Sequence, residues 1–354
     1  MANHIKQAAS EFICMLKKKI KGYKPSDIEW LQKIKLEKPP VISIMHPDWR
    51  GIRSSTLRLY PHHYFVDDNV TNEDVKYIVS VLLETGVKRF LISGLANSHI
   101  LLLKELHRVS PESKKYVLWH ANFLQSSEEY VWNSFKTILD FYKQGIIYKI
   151  GFVKKGMDEV MRRQSYRAGF VMNYVPMSAD APSVPLESGP HLGIWYIEEN
   201  WRKQPFAMMA ASSLIEGALL HMPRVSERAK DFITTMGLKV EYTGRVIPQE
   251  EMPGVLSKMH LNLYVTLSEC APMLPLESLS VGAPCLVGPS SHLFTDDDYL
   301  SSRLIVPYPD SAAVISKFID KALLDREDII RHYILYARAY NEKAKQSAID
   351  FLEL

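Results

Sequence analysis

The sequence of 354 residues contains few cysteines, no long apolar run and little net charge. Cys14, Cys270 and Cys285 lie far apart and form no CxxC pair, which argues against a disulfide framework or a structural zinc site and fits a reducing compartment. No apolar run approaches the ~20 residues that span a bilayer, and MANHIKQAASEF at the start lacks the apolar core of a secretion signal. A net charge of +3 is too small to indicate nucleic-acid binding by itself. We therefore expect a cytoplasmic protein that binds no nucleic acid.

The remaining composition is that of a globular protein, with 47% apolar and 23% charged residues. A chain of this length is too long for one typical core and predicts two domains.

Residues 1–39 form a distinct basic segment that ends at Pro39-Pro40. Apolar residues recur among lysines at helical spacing, which predicts one or two amphipathic helices: Ile13, Met15, Leu16 and Ile20 among Lys17, Lys18, Lys19, Lys21 and Lys24. The simpler interpretation is a solvated helix packed on the domain. The alternative is peripheral contact with the anionic inner face of a membrane, which such clusters favour.

Short apolar runs alternate with helical patterns along the rest of the chain, which predicts parallel, doubly wound α/β sheets. We expect a first domain over 40–175, a linker over the proline-rich stretch 176–190 and a second domain over 191–335. Within the second domain the pattern predicts a helix over 205–222 and a final strand over 304–308. Aromatic residues in 336–354 predict a C-terminal helix that crosses back to the first domain.

Two carboxylates stand out in LNLYVTLSECAPMLPLESLSVGAPCLVG, residues 261–288. A strand over 261–267 ends just before Glu269, and the helix that carries Glu277 starts near Pro272 to Pro275. Ligands of open α/β sheets bind beyond the carboxyl ends of the strands, and a helix N-terminus there offers free N–H groups to phosphate. We therefore expect both acids at the mouth of the sheet, where carboxylates suit hydrogen bonds from sugar hydroxyls.

The segment SECAPMLPLES resembles the E-x7-E motif of retaining, nucleotide-sugar-dependent glycosyltransferases of the GT-B fold (glycosyl transferases group 1), which include sucrose synthases and bacterial mannosyltransferases. The resemblance extends to three flanking runs, YTGRVIPQEEMPGVLSKMHLNLYVTLSE, SVGAPCLVG and HLGIWYIEENWRKQPFAMMAA. It covers most of the chain in architecture and is specific across about 190–290. It implies an α/β fold of two Rossmann-like domains that face a cleft.

The resemblance also implies roles in donor binding. It places Glu269 beside the donor sugar, Glu277 on the nucleotide ribose and Lys203 on the diphosphate. The family's arginine six residues before that lysine is absent, because Ile197 occupies the position. Candidates to supplement the site are Arg202, Arg245, Gly244 and the backbone of Ala271, Pro272, Met273 and Leu274.

The first domain supplies the other wall of the expected cleft. His120, after the strand KKYVLWH, matches a family histidine that hydrogen-bonds the donor sugar near the reacting carbon. The loop HPDWRGIRSST follows the first strand and holds one glycine, Gly51, where the family often has several. Arg50 and Arg53 of this loop are candidates for contacting phosphate or the acceptor.

The function implied is retaining transfer of a sugar from a nucleotide diphosphate to a hydroxyl of a glycan, a lipid-linked acceptor or a protein, in glycan or polysaccharide biosynthesis. The resemblance implies no metal and no cofactor other than the nucleotide-sugar co-substrate. The acids at 296–298 follow Phe294 and are interpreted as a helix cap rather than a metal motif. Two alternatives stay open: a sugar-nucleotide epimerase of the same fold, and a non-catalytic binding subunit.

Overall fold

The computed structural model describes residues 23–175, 186, 189–195, 199–203 and 205–354. Most of the basic segment, most of the expected linker and Ile197 lie outside the described residues. Among the described helices, none combines the length and the apolar character needed to cross a bilayer.

The first half of the chain forms a parallel sheet of six strands in the order β2-β1-β3-β4-β5-β6. The inner strands are buried on both faces, which explains why they are continuous apolar runs rather than alternating ones. The strands are β1 (Ile42–Met45), β2 (His63–Phe65), β3 (Arg89–Ser93), β4 (Lys114–Trp119), β5 (Lys149–Phe152) and β6 (Ala168–Phe170).

Amphipathic helices connect these strands and bury their apolar stripes against the sheet. One of them, α3, begins with a capping box in which Thr71 and Asp74 satisfy each other's backbone N–H groups. The helices are α1 (Pro25–Glu37), α2 (Arg50–Leu59), α3 (Asn72–Glu84), α4 (Asn97–Val109), α5 (Glu129–Lys143) and α6 (Met157–Arg163), with a 3₁₀ helix at Phe123–Ser127.

The second half forms a parallel sheet of five strands in the order β11-β10-β7-β8-β9. Its strands are β7 (His191–Gly193), β8 (Leu219–Met222), β9 (Val240–Tyr242), β10 (Leu261–Tyr264) and β11 (Cys285–Val287). Its helices are α7 (Pro205–Ser212), α8 (Glu227–Thr235), α9 (Met252–Leu256), α10 (Met273–Ser280), α11 (Asp298–Leu304), α12 (Ala312–Leu324) and α13 (Arg326–Leu352).

Two predicted elements of the second half are wrong. The helix predicted over 205–222 ends at Ser212, where i→i−3 hydrogen bonds from Ser213 and Leu214 tighten the chain into turns. Gly217 then adopts a left-handed conformation (φ 70°), and the chain enters β8. The strand predicted over 304–308 is reduced to a single bridge between Ile305 and Val287. Pro307 has no N–H to continue the ladder.

The predicted helix cap is confirmed, because the Asp297 side chain accepts a hydrogen bond from Leu300 N at the start of α11. This arrangement satisfies an N–H group that the first turn of a helix would otherwise leave free.

The last helix, α13, contacts both halves of the molecule and runs without a break past residue 336, where the sequence had suggested a boundary. Its middle is packed into the second core, where Tyr333 donates to Leu276 O at 3.1 Å. Asn341 bonds both the N–H and the C=O of Val175, at the end of the first half. Near its C-terminus, Phe351 packs edge-on against Tyr116 of the first sheet.

Candidate functional site

A cleft of about 400 Å³ lies between the carboxyl ends of the two sheets. The strand order reverses beside β1 in the first sheet and beside β7 in the second, and ligands of such folds bind at this reversal. The volume is within the usual range for small-molecule sites. The residues singled out from the sequence that line the cleft are Glu269, Glu277, Lys203, His120, Arg50, Gly51, Ala271, Pro272, Met273 and Leu274.

An ion pair between Lys203 and Glu269 lies on the second-domain wall. Lys203 Nζ donates to Glu269 Oε1 at 2.5 Å and to the hydroxyl of Tyr264 at 2.5 Å. Tyr264 in turn donates to the same carboxylate oxygen at 3.0 Å. The two charged side chains are only 11% and 15% exposed, so the low local polarity strengthens their attraction. The triangle fixes a carboxylate and an ammonium side by side at the mouth of β10.

The backbone of Glu269 is held from both domains. Its N–H donates to Ser290 Oγ at 2.8 Å, and its carbonyl accepts from Lys154 Nζ at 3.0 Å. Lys154 follows β5 of the first sheet and also donates to the carbonyl of Ser290. Desolvation lowers the pKa of Lys154, while the nearby Cys270 and Glu269 oppose that shift. The lysine therefore links the two domains at the edge of the site.

Glu277 lies on α10 with its side chain 12% exposed. Its Oε1 accepts a hydrogen bond from Gln249 Nε2 at 3.0 Å, and Arg58 Nη2 of the first domain lies 3.5 Å from the same oxygen. A carboxylate with donors around it in a cleft is suited to exchange them for the hydroxyl donors of a ligand.

His120 follows β4 and reaches the cleft from the first domain. Its Nε2 lies 2.9 Å from the buried Ser93 hydroxyl. The ring is partly accessible from the cleft but surrounded by protein, and this desolvation lowers its pKa to about 3. The imidazole is therefore neutral at physiological pH.

The start of α10 lies between the two acids, and Met273 and Leu274 of its first turn line the cleft. The first N–H groups of a helix have no partner within the helix and can bind a ligand. Asn173 of the first domain holds this loop, since its amide donates to Ala271 O at 2.9 Å. The helix start thus offers an anion site in a fixed position.

Four residues predicted for the site lie outside the cleft lining. Arg202 is buried and donates to Glu128 of the first domain at 3.0 Å, so it bridges the domains instead. Arg245 is exposed and pairs with Glu251, and Gly244 lies beside it in an exposed turn. Arg53 donates to Pro47 O at 2.7 Å and lines an adjoining cavity that shares Arg50 and Gln249 with the cleft. These residues were predicted from their charge and from their place in the sequence near other site residues, but neither property specifies the direction of a side chain.

An apolar part of the cleft lies against Trp195 at the end of β7, with Ile247, Met252 and Leu274 around it. The indole N–H donates to Asn262 Oδ1 at 2.7 Å, which fixes the plane of the ring. The cleft therefore has a polar, charged part beside Glu269 and an apolar part beside Trp195.

Sequence reasoning missed Tyr264, Gln249 and Arg58. The first two lie within the run that carries the resemblance, and a tyrosine at the end of a buried strand is a polar group that needs a partner. Arg58 lies in a first-domain helix, and no local pattern connects it with Glu277. Among the described residues, no group of three or more His, Cys, Asp or Glu side chains is arranged to hold a metal ion.

By sequence, the chain matches no protein-family model and no curated protein. Solved structures do resemble it in fold. The lipopolysaccharide outer core galactosyltransferase WaaB is 13% identical, with a TM-score of 0.60 over 89% of this chain and 99% of that one.

Two further structures extend the similarity. An α,α-trehalose-phosphate synthase from Burkholderia xenovorans, in complex with glucose-6-phosphate, is 9% identical with a TM-score of 0.60 over 88% of this chain and 99% of that one. Anabaena Alr3699/HepE, in complex with UDP, is 9% identical with a TM-score of 0.60 over 88% of this chain and 97% of that one. The predicted fold is confirmed: the chain has the two-domain, Rossmann-like α/β architecture known as GT-B.

Proposed function

We propose that this protein is a glycosyltransferase that takes a sugar from a nucleotide diphosphate donor. The observation that carries the proposal is the placement of Glu269, Lys203 and Glu277 on one wall of a cleft between two Rossmann-like domains. The overall similarity to a galactosyltransferase and to a synthase that forms UDP supports it.

The donor is expected to extend along the second-domain wall. The apolar part beside Trp195 and Ile247 suits a nucleobase, and the Glu277 carboxylate suits the two hydroxyls of a ribose. The diphosphate then lies near Lys203 and the N-terminus of α10, where an ammonium and free N–H groups stabilise negative charge. UDP bound to the Anabaena protein is consistent with a nucleotide site in this architecture.

The proposed reaction breaks the bond between the anomeric carbon and the diphosphate oxygen, whose electron pair leaves with the nucleoside diphosphate. The acceptor oxygen forms the new bond to that carbon, and its proton passes to the departing phosphate oxygen. Charge builds on the leaving group in the transition state, so fixed cations there lower the barrier. Lys203 is the cation that we assign to this role, and Arg50 of the first domain lines the same cleft. Retention of anomeric configuration and independence of metal are parts of the proposal.

The acceptor is expected to enter along the first-domain wall, where Arg50 and Gly51 line the cleft and His120 lies deeper. We propose a hydroxyl of a glycan, a lipid-linked acceptor or a protein as the acceptor group. Membrane contact through the basic segment 1–39 belongs to the same proposal, because clustered lysines beside apolar residues bind anionic surfaces. Deletion of residues 1–22 should then reduce binding to vesicles with anionic headgroups and leave donor hydrolysis intact.

The decisive experiment incubates the purified protein with a panel of nucleotide diphosphate sugars and follows the release of nucleoside diphosphate, with proton NMR of the sugar product for its anomeric configuration. Slow hydrolysis of one donor, lost in Glu269→Gln and kept in Glu227→Gln, supports the proposal. Glu227 is a matched control because it is an exposed acid on α8 of the same domain.

Other outcomes contradict the proposal. A free, isomerised nucleotide sugar would identify an epimerase. Nucleotide binding without turnover of any donor, together with stimulation of another transferase, would identify a non-catalytic subunit.

A further inference from the structure

Behind His120 lies a chain of two buried hydroxyls. Thr56 Oγ1, on α2, is 2.6 Å from Ser93 Oγ, at the end of β3, and Ser93 Oγ is 2.9 Å from His120 Nε2. Thr56 is 1% exposed and Ser93 0%, so bulk water does not satisfy either hydroxyl. The positions of the hydroxyl protons in this hydrogen-bonded chain determine whether His120 exposes an N–H donor or a lone pair to the cleft.

The direction of the chain follows from the requirement that each buried hydroxyl hydrogen has an acceptor. Within the described residues, Ser93 Oγ is the sole hydrogen-bond partner of Thr56 Oγ1, and Ser93 Oγ has Thr56 and His120 as its partners. If His120 Nε2 carried the proton and donated to Ser93, either the Ser93 or the Thr56 hydrogen would be left buried without an acceptor. Such an orphan costs about 1–3 kcal/mol.

One arrangement leaves no orphan: Thr56 donates to Ser93, and Ser93 donates to His120 Nε2. We propose that Thr56 and Ser93 fix His120 as the neutral tautomer with its proton on Nδ1. His120 then exposes an N–H donor to the cleft and does not act as a base there. Thr56 and Ser93 are then positioning residues, since they act through His120.

Burial supports this arrangement. Desolvation lowers the pKa of His120 to about 3, so the ring stays neutral and one of its nitrogens must accept. Within the described residues, Nδ1 makes no hydrogen bond to protein, and the ring lines the cleft. The proton on Nδ1 is therefore available to a ligand.

The ligand group that this N–H donor recognises is an oxygen that accepts a hydrogen bond, either a hydroxyl of the transferred sugar or an oxygen of its phosphate. This assignment rests on the proposed function. It also explains how the transfer proceeds without a protein base at this position. Nδ1 carries the proton and Nε2 accepts the hydrogen bond from Ser93, so the neutral ring has no free lone pair to take a proton from the hydroxyl that receives the sugar.

The tautomer is measured directly by NMR of the full-length protein labelled with ¹⁵N-histidine, where the two-bond couplings of ring nitrogens to ring protons distinguish the tautomers. The His120→Gln variant identifies the His120 signals by their absence. We expect a pyrrole-type Nδ1 and a pyridine-type Nε2 between pH 6 and 8, roughly the range around the ordinary histidine pKa. A pyrrole-type Nε2 would overturn the inference, whatever the enzymatic activity.

Ser93→Ala removes the donor to Nε2. We expect the ring to become a mixture of tautomers, its pKa to rise, and donor turnover to fall roughly 5- to 30-fold, which corresponds to the ~1–2 kcal/mol of one buried hydrogen bond. Affinity for nucleoside diphosphate should change less than about twofold, because the hydroxyl chain does not touch that part of the cleft. Ser93→Thr keeps the hydroxyl, so this variant should have the same His120 tautomer as the wild type.

Ser43→Ala is the matched control, because Ser43 is equally buried in the same sheet and its hydroxyl donates to Tyr60 O at 3.0 Å. It should lower stability without changing the His120 tautomer or turnover. If Ser93→Ala behaves like Ser43→Ala in both measurements, the hydroxyl chain is only structural and the inference is wrong. If the wild-type protein turns over no donor, the proposed function fails while the NMR result still decides the tautomer.

Discussion

Lys203 Nζ and Glu269 Oε1 lie 2.5 Å apart although 66 positions separate them in the sequence. The pair connects the turn before α7 with the loop after β10, and Tyr264 bonds both partners. Because both side chains are mostly buried, each charge depends on the other for stabilisation. The same contact that holds the wall of the cleft is therefore the proposed centre of its chemistry.

Replacing one member of the Lys203–Glu269 pair should lower the free energy of unfolding more than replacing both. Lys203→Met leaves the buried Glu269 carboxylate without the ammonium that opposes its charge, and we expect a loss of about 3–5 kcal/mol. Glu269→Gln removes the charge that opposes the Lys203 ammonium. The double variant should recover most of that loss and still lack donor turnover. Urea unfolding of the four proteins gives the coupling energy, and additive losses would show that the pair is not coupled.

Glu277→Ala should weaken nucleoside diphosphate binding by roughly 10- to 100-fold. A ribose diol gives the carboxylate two charge-assisted hydrogen bonds of about 1.5–3 kcal/mol, and each ~1.4 kcal/mol is tenfold in affinity. Calorimetric titration with nucleoside diphosphate measures the change. Unchanged affinity would remove Glu277 from the donor site.

Glu269→Ala should lower turnover more than it lowers nucleotide affinity, in contrast to Glu277→Ala. If its contact strengthens as the glycosidic bond breaks, turnover falls while affinity for the bare nucleotide changes little. Steady-state kinetics with the full donor, beside the same calorimetry, tests this expectation. A variant that keeps its turnover would contradict the role of Glu269 in transfer.

The end of α13 should contribute strongly to the stability of the first domain. A Cβ at Gly151 would lie 2.8 Å from Phe351 Cζ and 2.9 Å from Leu118 Cδ1, so Gly151→Ala overpacks the contact and should cost about 1–3 kcal/mol. Phe351→Ala should cost about 3–5 kcal/mol. Because the truncation frees space, Gly151→Ala should cost less in the Phe351→Ala background, as measured by urea unfolding.

Gly254→Ala is the control for this cycle, because the added Cβ meets nothing within 4 Å and lies in α9. It should be neutral or slightly stabilising, since alanine favours a helix over glycine. Equal costs of Gly151→Ala in both backgrounds would show that Phe351 is not the residue that requires a glycine at 151.

Acid should destabilise the protein through histidines that the surrounding protein desolvates. Burial lowers the pKa of His99 and His292 to about 4 and that of His120 to about 3, below the ordinary value of 6.5. The unfolded chain then binds protons that the folded one does not, so stability is fully present above about pH 6.5 and falls as the pH drops toward 4.

A substitution at His292 tests this pH dependence. His292→Gln keeps a donor for the Tyr340 hydroxyl and removes the titration, so it should reduce the loss of unfolding free energy between pH 7 and pH 5 by about 2 kcal/mol. The exposed His332→Gln is the control for loss of a histidine as such. If the two variants show the same pH dependence, burial of His292 is not its cause.

The amino-acid pattern alone was enough to predict the class of fold and the position of the two acids. Apolar runs of strand length alternate with helical patterns, and this local signal is enough to predict two parallel sheets. Glu269 and Glu277 flank a helix start directly after a strand, so their shared place at the mouth of the sheet follows from local geometry. The errors at 205–222 and 304–308 arose because the apolar stretch there continues past the end of the element: the turns over 213–217 and Pro307 lie within such stretches.

The first-domain residues that contact those acids could not be predicted, because tertiary packing selects them. Arg58 reaches Glu277 across 219 positions of sequence, and Lys154 reaches the backbone of Glu269 across 115. No periodicity carries such information, because it depends on how two separately formed sheets pack around α13. Side-chain direction has the same origin: Arg202 looks like a phosphate ligand in sequence, yet packing turns it toward Glu128, away from the cleft.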